Sequence, residues 1–328
     1  MKRGPATRTT SKRKPLKRAT AEVELRRLST EKKNSASTDL DRKSAREIAR
    51  IINREDATVA GAVKRALPQI ARAIDLIAAA LSKGGRLIYV GTGTSGRIAA
   101  LDAVECPPTF DVDPSMVQFI IAGGAEALGA AVEADEDSRD LGRECIAKRK
   151  PTKKDVVVGI AASGRTPFTI AAIEYARAHG AATIAVACNR KSPLGKAAHV
   201  SIVAEVGPEV LAGSTRMKAG TAQKMILNML TTGAMSRIGY VYGNLMVNLH
   251  TKNKKLAERA VGIVEEVAGL DDALARRLLA AAGERVSVAL VMAKAGVSRE
   301  QATSALKKSG GRVRQAITTA NIKKSIGK

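Results

Sequence analysis

The chain contains no tryptophan, and only 2% of its 328 residues are aromatic. Its core must therefore be aliphatic, and it has too few rings for a base-stacking platform that binds single-stranded nucleic acid. Cysteine is also scarce. Cys106, Cys145 and Cys188 form an odd, scattered set with no Cys-x-x-Cys pair, which argues against a disulfide framework or a zinc ribbon. His179, His199 and His250 are the only histidines and stand too far apart to advertise a metal site. No apolar run reaches the length of a transmembrane helix, and the N-terminus lacks the apolar stretch of a secretory signal. The expectation is a soluble, cytoplasmic protein that binds neither metal nor membrane.

Positive charge is abundant. Lys and Arg number 55 against 31 acidic residues, a formal charge of +24. Residues 1–27 hold ten of these bases against Glu22 and Glu24, and also carry Pro5 and Pro15. With so few apolar residues, this stretch reads as a disordered basic arm. A solvated tail and a nonspecific nucleic-acid contact both fit it. The chain as a whole is 45% hydrophobic, enough for a substantial core.

Beyond the arm the pattern becomes periodic. Ala45, Ile48, Ala49 and Ile52 recur at helical spacing, and a second helical stripe runs from Val59 to Leu81, with Pro68 as a kink or break. Five short Val/Ile-rich runs follow, at Arg86–Val90, Val117–Ala122, Val156–Ile160, Thr183–Ala187 and Val200–Ala204. Helix-length segments separate them, which predicts a parallel sheet covered on both faces. Thr215–Ile238 reads as a long helix. After about Val261 the pattern is purely helical and punctuated by Gly269, Gly283, Gly296 and Gly310-Gly311. The expected organisation is an arm (1–27), an α/β sandwich with N-terminal helices (28–260) and a small helical domain (261–328).

Chemistry concentrates in the loops. Gly91-Thr92-Gly93-Thr94-Ser95-Gly96 follows a strand and precedes a helix, as in a dinucleotide fingerprint. That reading needs an acid at the end of the next strand, and Ile120-Ile121-Ala122-Gly123-Gly124 has none. What survives is a glycine turn whose hydroxyls and free helix amides suit phosphate. Ala161-Ala162-Ser163-Gly164-Arg165-Thr166-Pro167 repeats the design after another strand. Together the loops nominate Thr94, Ser95, Gly96, Ser163, Gly164, Arg165 and Thr166 as a cradle for a phosphorylated ligand. Gly213 to Lys218 is a third hydroxyl-rich segment, equally readable as a helix cap or a ligand contact.

Two carboxylate positions stand out. Pro107-Pro108 is expected to end the helix begun near Ser95, holding Glu105 in its last turn beside the phosphate loop. The negative end of the helix dipole would favour the protonated form there, as suits a general acid. Glu133-Ala134-Asp135-Glu136-Asp137 is an acidic cluster in a basic protein. The residues alone leave open whether it caps the next helix or carries a carboxylate into the crevice.

These stretches together resemble the N-acetylmuramic acid 6-phosphate etherase family. The resemblance rests on Gly91 to Arg97, on Asp102 to Thr109 with its Glu-Cys-Pro-Pro-Thr, on Val156 to Pro167 and on Gly213 to Lys224. Leu28-Ser29-Thr30-Glu31, Ile51-Ile52-Asn53 and Gly243-Asn244-Leu245-Met246-Val247 extend it, so that it spans about Leu28 to Ile317. It implies a sugar isomerase (SIS) fold, a three-layer α/β sandwich around a five-stranded parallel sheet, working as a homodimer. It implies cleavage of the lactyl ether of N-acetylmuramate 6-phosphate, with Glu105 as proton donor and Glu136 as the second active-site glutamate. That chemistry requires no metal or redox cofactor. The chain departs from the family pattern at Ala134-Asp135, where Gly-Ala is frequent, and at Ala125, where relatives often carry an acid. The basic arm has no counterpart in that pattern.

Three other readings compete. A non-catalytic SIS-domain sugar-phosphate regulator would keep the serine loops but not need Glu105 and Glu136. A nucleic-acid-binding regulator would exploit the net charge, yet no helix-turn-helix spacing precedes the sheet. A sugar-phosphate isomerase is the nearest enzymatic alternative.

Overall fold

The computed structural model describes residues 28–132, 135–248 and 254–326. The basic arm, Glu133, Ala134 and His250 lie outside the described residues.

Each of the five Val/Ile-rich runs is a strand: β1 (Leu87–Gly91), β2 (Val117–Ile121), β3 (Val156–Ile160), β4 (Ala182–Ala187) and β5 (Val200–Val203). All pair in parallel in the order β2-β1-β3-β4-β5, with Leu87 opposite both Val117 and Val156. Alternation sends Leu87, Tyr89, Val156 and Val158 to one face and Ile88, Val90 and Val157 to the other, and all are buried. A sheet covered on both sides needs continuous apolar strands, as the sequence provides.

Helices supply the two covers. On the first face pack α2 (Val59–Lys64), α3 (Leu67–Leu81), α4 (Gly93–Phe110) and α9 (Lys218–Ile238), with α1 (Ala45–Asp56) lying outside them against α9. On the second lie α6 (Arg139–Lys148), α7 (Pro167–Ala178) and α8 (Pro193–Ala197), while α5 (Glu126–Gly129) is a single turn after β2. Ser44 starts α1 with a capping box in which Glu47 reaches back to the Ser44 N–H at 2.9 Å. The stripe from Val59 to Leu81 is two helices, because Pro68 sits in the first turn of α3, where a missing N–H costs nothing. Tyr89, Asp102, Asn228 and Thr231 tie β1, α4 and α9 together. The buried Asp102 carboxylate accepts from the Tyr89 hydroxyl at 2.8 Å and Asn228 Nδ2 at 2.7 Å.

The C-terminal helices have a separate apolar cluster. It includes Val247, Val261, Val264, Leu279, Leu290 and Leu306. A tight hairpin, β6 (Val241–Tyr242) with β7 (Leu245–Met246), leads into it through Gly243 at φ +63°. Then come α10 (Lys254–Ala268), α11 (Asp272–Ala281), α12 (Val286–Ala295), α13 (Arg299–Lys308) and α14 (Val313–Ile326). Residue 260, the expected edge of the α/β unit, falls inside α10, whose buried face already belongs to the C-terminal cluster. α14 buries Val313, Ala316 and Ala320, a face made largely of alanine.

Candidate active site

In the order β2-β1-β3-β4-β5 the chain moves outward from β1 to β2 and returns to β3 on the other side. Loops leaving β1 and β3 therefore diverge and leave a crevice at the carboxyl ends of the strands. A cleft of about 370 Å³ occupies that place. Thr92, Gly93, Thr94 and Ser95 line it from the β1–α4 loop, and Ala161, Ala162, Ser163 and Thr166 from the β3–α7 loop. Thr92 and Thr166 are the N-cap residues of α4 and α7, so two helix N-termini open on this space. The first-turn amides of α4 and the positive dipole ends of both helices favour an anion, while in α7 Pro167 has no N–H and that of Phe168 is taken by a backbone carbonyl. Ser163 Oγ accepts the Arg165 backbone N–H at 3.2 Å, which leaves its own proton available to a ligand oxygen.

Glu136 also lines the cleft. Its position follows from the backbone, because its carbonyl accepts the N–H of Phe168 in the first turn of α7 at 3.1 Å. Ser138, not the acidic cluster, caps α6, accepting the Leu141 N–H at 3.2 Å. The Glu136 carboxylate reaches across to the β1 loop. A Cβ built on Gly93 would sit 3.1 Å from Glu136 Oε1, and Gly93 holds φ +49°. Glycine at that position allows both the turn and the close approach of the carboxylate.

The other nominated residues fall elsewhere. Gly164 sets the β3 loop at φ +68°, where a Cβ would collide with Ser192. A Cβ on Gly96 would meet Ile121 at 2.5 Å, so this glycine permits α4 to pack on β2. Arg165 is not among the cleft-lining residues, and its Nε is buried. Glu105 requires a correction. Pro107 and Pro108 do not end the helix; α4 continues through both to Phe110 and stops at Asp111, which takes the left-handed conformation at φ 55°. Two prolines in a final turn remove only two intrahelical hydrogen bonds, and their fixed φ suits a helix. Asp111 N–H closes the turn on the Pro107 carbonyl at 3.0 Å. Glu105 is exposed and stands twelve residues from Gly93, about 18 Å along the helix at 1.5 Å per residue. It is not beside the phosphate loop of its own chain.

Several residues at the site were not singled out individually from the sequence. Glu31, Arg97 and Thr215 line the cleft. Glu31 arrives on a segment anchored by Asn189, whose Oδ1 accepts the Ser29 N–H at 3.0 Å and whose Nδ2 donates to the Ala162 carbonyl at 3.2 Å. Ser95 Oγ pairs with Gln223 on α9 at 3.0 Å. Behind Gly213 and Thr215, the fully buried Glu209 accepts the N–H groups of Lys218 and Ala219, both at 2.9 Å. Burial pushes the Glu209 carboxyl above its usual range despite these bonds. Lys218 Nζ in turn pairs with Glu55 at 2.8 Å. The only advance signal for Glu31 was its place in the family-like Leu28-Ser29-Thr30-Glu31; the others are gathered by long-range packing.

The remaining chemistry in the chain is quiet. Burial, with Asp102 and Glu105 nearby, pushes the Cys106 thiol up to about 12, and burial with Glu209 does the same for Cys188. Among the described residues, no group of three or more His, Cys, Asp or Glu could hold a metal ion. No helix of the described residues is long and apolar enough to cross a membrane.

Comparison with known proteins places this arrangement. Residues 69–177 match the glucokinase regulatory protein N-terminal SIS domain, and residues 150–233 match the SIS domain. A solved phosphoheptose isomerase, GmhA from Neisseria gonorrhoeae, superposes with a TM-score of 0.47 at 15% identity, covering 59% of this chain and 100% of that one. The N-acetylmuramic acid 6-phosphate etherase of Aeromonas hydrophila is 50% identical over 293 residues, 89% of this chain and 98% of that protein. Etherase 1 of Enterococcus faecalis is 47% identical over 90% of this chain and 99% of its own length. The etherase of Symbiobacterium thermophilum reaches 55% over 84% of this chain and 91% of its own. With about half its residues shared across nearly the full length of these proteins, the chain belongs to the N-acetylmuramic acid 6-phosphate etherase family.

Proposed function

We propose that this protein cleaves the D-lactyl ether of N-acetylmuramic acid 6-phosphate, giving N-acetylglucosamine 6-phosphate and D-lactate. One observation carries the reading: a carboxylate, Glu136, stands beside a phosphate-suited cleft in a chain about half identical to etherases. In the open-chain sugar the aldehyde acidifies the C2 hydrogen, and a carboxylate base removes it. The C3–O bond then breaks and lactate leaves with a proton from an acid, a lyase step. Water adds its oxygen at C3 and a proton at C2 of the unsaturated aldehyde, so that the sum is hydrolysis of the ether. The hydroxyls of Thr94, Ser163 and Thr166 with the N-terminus of α4 hold the phosphate, Ser95 contributes its backbone N–H because its hydroxyl donates to Gln223, and Gly96, Gly164 and Arg165 shape the loops around it.

Glu105 enters this reading through a second copy. On α4, Leu101 and Val104 are 50% and 55% exposed and share a helix face with Glu105, a spacing of three and four residues. Leu128 adds a further exposed apolar side chain. An apolar face of this kind suits a partner surface. In a homodimer with paired α4 helices, Glu105 of one protomer would serve the Glu136 cleft of the other as proton donor. The protein on this reading is a cytoplasmic homodimer whose α/β unit carries the chemistry and whose C-terminal helices form a separate unit. Incubation with N-acetylmuramic acid 6-phosphate in D2O tests it: D-lactate should appear together with N-acetylglucosamine 6-phosphate deuterated at C2. Sugar phosphate bound without any lactate release would instead indicate a binding regulator.

A further inference from the structure

The cleft must receive two anions of the same substrate, the phosphate and the lactyl carboxylate, and its walls are chemically unequal. One wall is the hydroxyl cradle of the β1 and β3 loops. The other is formed by Arg97 with Ala127, Ala131 and Val132. Arg97 is the only Lys or Arg side chain among the described residues that line the cleft. Its guanidinium is tethered, since Nη2 donates to the Ala130 carbonyl. Ala130 is itself fixed at the end of α5, its N–H donating to the Glu126 carbonyl at 3.0 Å. One tethered N–H leaves four donors on a planar fork, a shape that matches a carboxylate bidentately.

The apolar part of this wall is equally fixed. Gly123 holds φ +81°, and a Cβ there would lie 2.8 Å from Val132 Cβ and 3.1 Å from Ala127 Cβ. Both side chains therefore close over a glycine with no room to retreat. Two alanines and a valine offer a small apolar surface next to a cation. A lactyl ether presents a methyl group and a carboxylate on one carbon.

We infer that Arg97, backed by Ala127, Ala131 and Val132, forms the lactyl subsite and sets specificity for an ether bearing a short carboxylate. This rests on the etherase reading above. Phosphate does not need Arg97, because the N-terminus of α4 and the hydroxyls of Thr94, Ser163 and Thr166 already line the cleft from the β1 and β3 loops.

Calorimetry in the Glu136→Gln background, where substrate is not consumed, separates the two anions. Arg97→Met should weaken N-acetylmuramic acid 6-phosphate at least thirtyfold, on the order of a lost charge-assisted pair. It should leave N-acetylglucosamine 6-phosphate, which lacks the lactyl group, within about twofold of the parent by the same argument. Ala131→Leu should block the subsite sterically and repeat that split without touching charge. In the otherwise native chain, Arg97→Met should raise KM and abolish inhibition by D-lactate, and Arg97→Lys should recover part of the loss. Equal weakening of both sugar phosphates would mean that Arg97 serves the phosphate and overturns the inference, as would unchanged binding of both. If the native chain binds both ligands but releases no lactate, the etherase reading fails, while the binding split still decides the subsite.

Discussion

Glu136 and Glu105 stand at opposite ends of one helix. The Glu136 carboxylate approaches Gly93, the first residue of α4, within 3.1 Å of where a Cβ would be, whereas Glu105 lies about 18 Å further along. One chain therefore presents its two nominated carboxylates at separate places, and in the proposed homodimer a partner protomer would unite them.

That arrangement predicts subunit complementation. Glu105→Gln and Glu136→Gln should each nearly abolish lactate release as homodimers. Refolded together in equal amounts, half the dimers are mixed and each mixed dimer has one intact site, so about a quarter of native activity should return. A mixture as inactive as its parents would place both carboxylates in the same protomer's site and contradict the shared one.

Gly93→Ala should lower turnover by more than tenfold while leaving the protein folded. The added methyl meets Glu136 Oε1 and forces a side chain onto φ +49°. A cost of about 1 kcal/mol in stability is expected for the backbone strain. Turnover and the urea midpoint, measured on the same preparation, distinguish a misplaced carboxylate from a collapsed fold.

Ser163→Ala and Thr166→Val should weaken phosphorylated ligands about ten- to a hundredfold each, the worth of one hydrogen bond to a charged oxygen. Unphosphorylated N-acetylmuramic acid should bind no worse than before. Equal loss for that sugar would remove these residues from the phosphate cradle.

Lys218 and Glu55 form a pair in which the lysine is 3% exposed. Hydrogen bonding from Lys218, opposed by burial, holds the Glu55 carboxyl below its usual range. Lys218→Met alone should cost about 1–3 kcal/mol, because Glu55 loses its cationic partner and keeps only the Asn34 amide at 2.8 Å, and the double change with Glu55→Leu should recover part of it. Denaturant titration of the two singles and the double gives the coupling.

Asp155 joins β3 to β1 by accepting from the Arg86 backbone N–H and from its guanidinium, both Nε and Nη2. Burial raises its carboxyl, but Arg86 and Thr152 outweigh this and the net shift is downward. A lowered carboxyl contributes stability above its unfolded value near pH 3.9 and loses it as pH falls through the folded value. The stability gap between the native chain and Asp155→Asn should therefore be widest near neutrality and narrow below about pH 4. A gap constant from pH 7 to pH 3 would remove the ion pair as its source.

The sequence by itself determined the sheet, the crevice loops and the residue types in them. Continuous Val/Ile runs can be buried only with both faces covered, and a glycine-hydroxyl turn after a strand leaves few conformations open, so local chemistry sufficed for β1, β3, Thr94, Ser95, Ser163 and Thr166. Helix ends were less legible. Asp111 in a left-handed turn, rather than Pro107-Pro108, stops α4, and a non-glycine residue at positive φ gives no local sequence signal. Only the tertiary structure decided that Arg97, Glu31 and Thr215 share the cleft with Glu136, and that Glu105 does not. These contacts join segments from separate parts of the chain, brought together by packing on the sheet, and no local spacing encodes which side chains will meet across it.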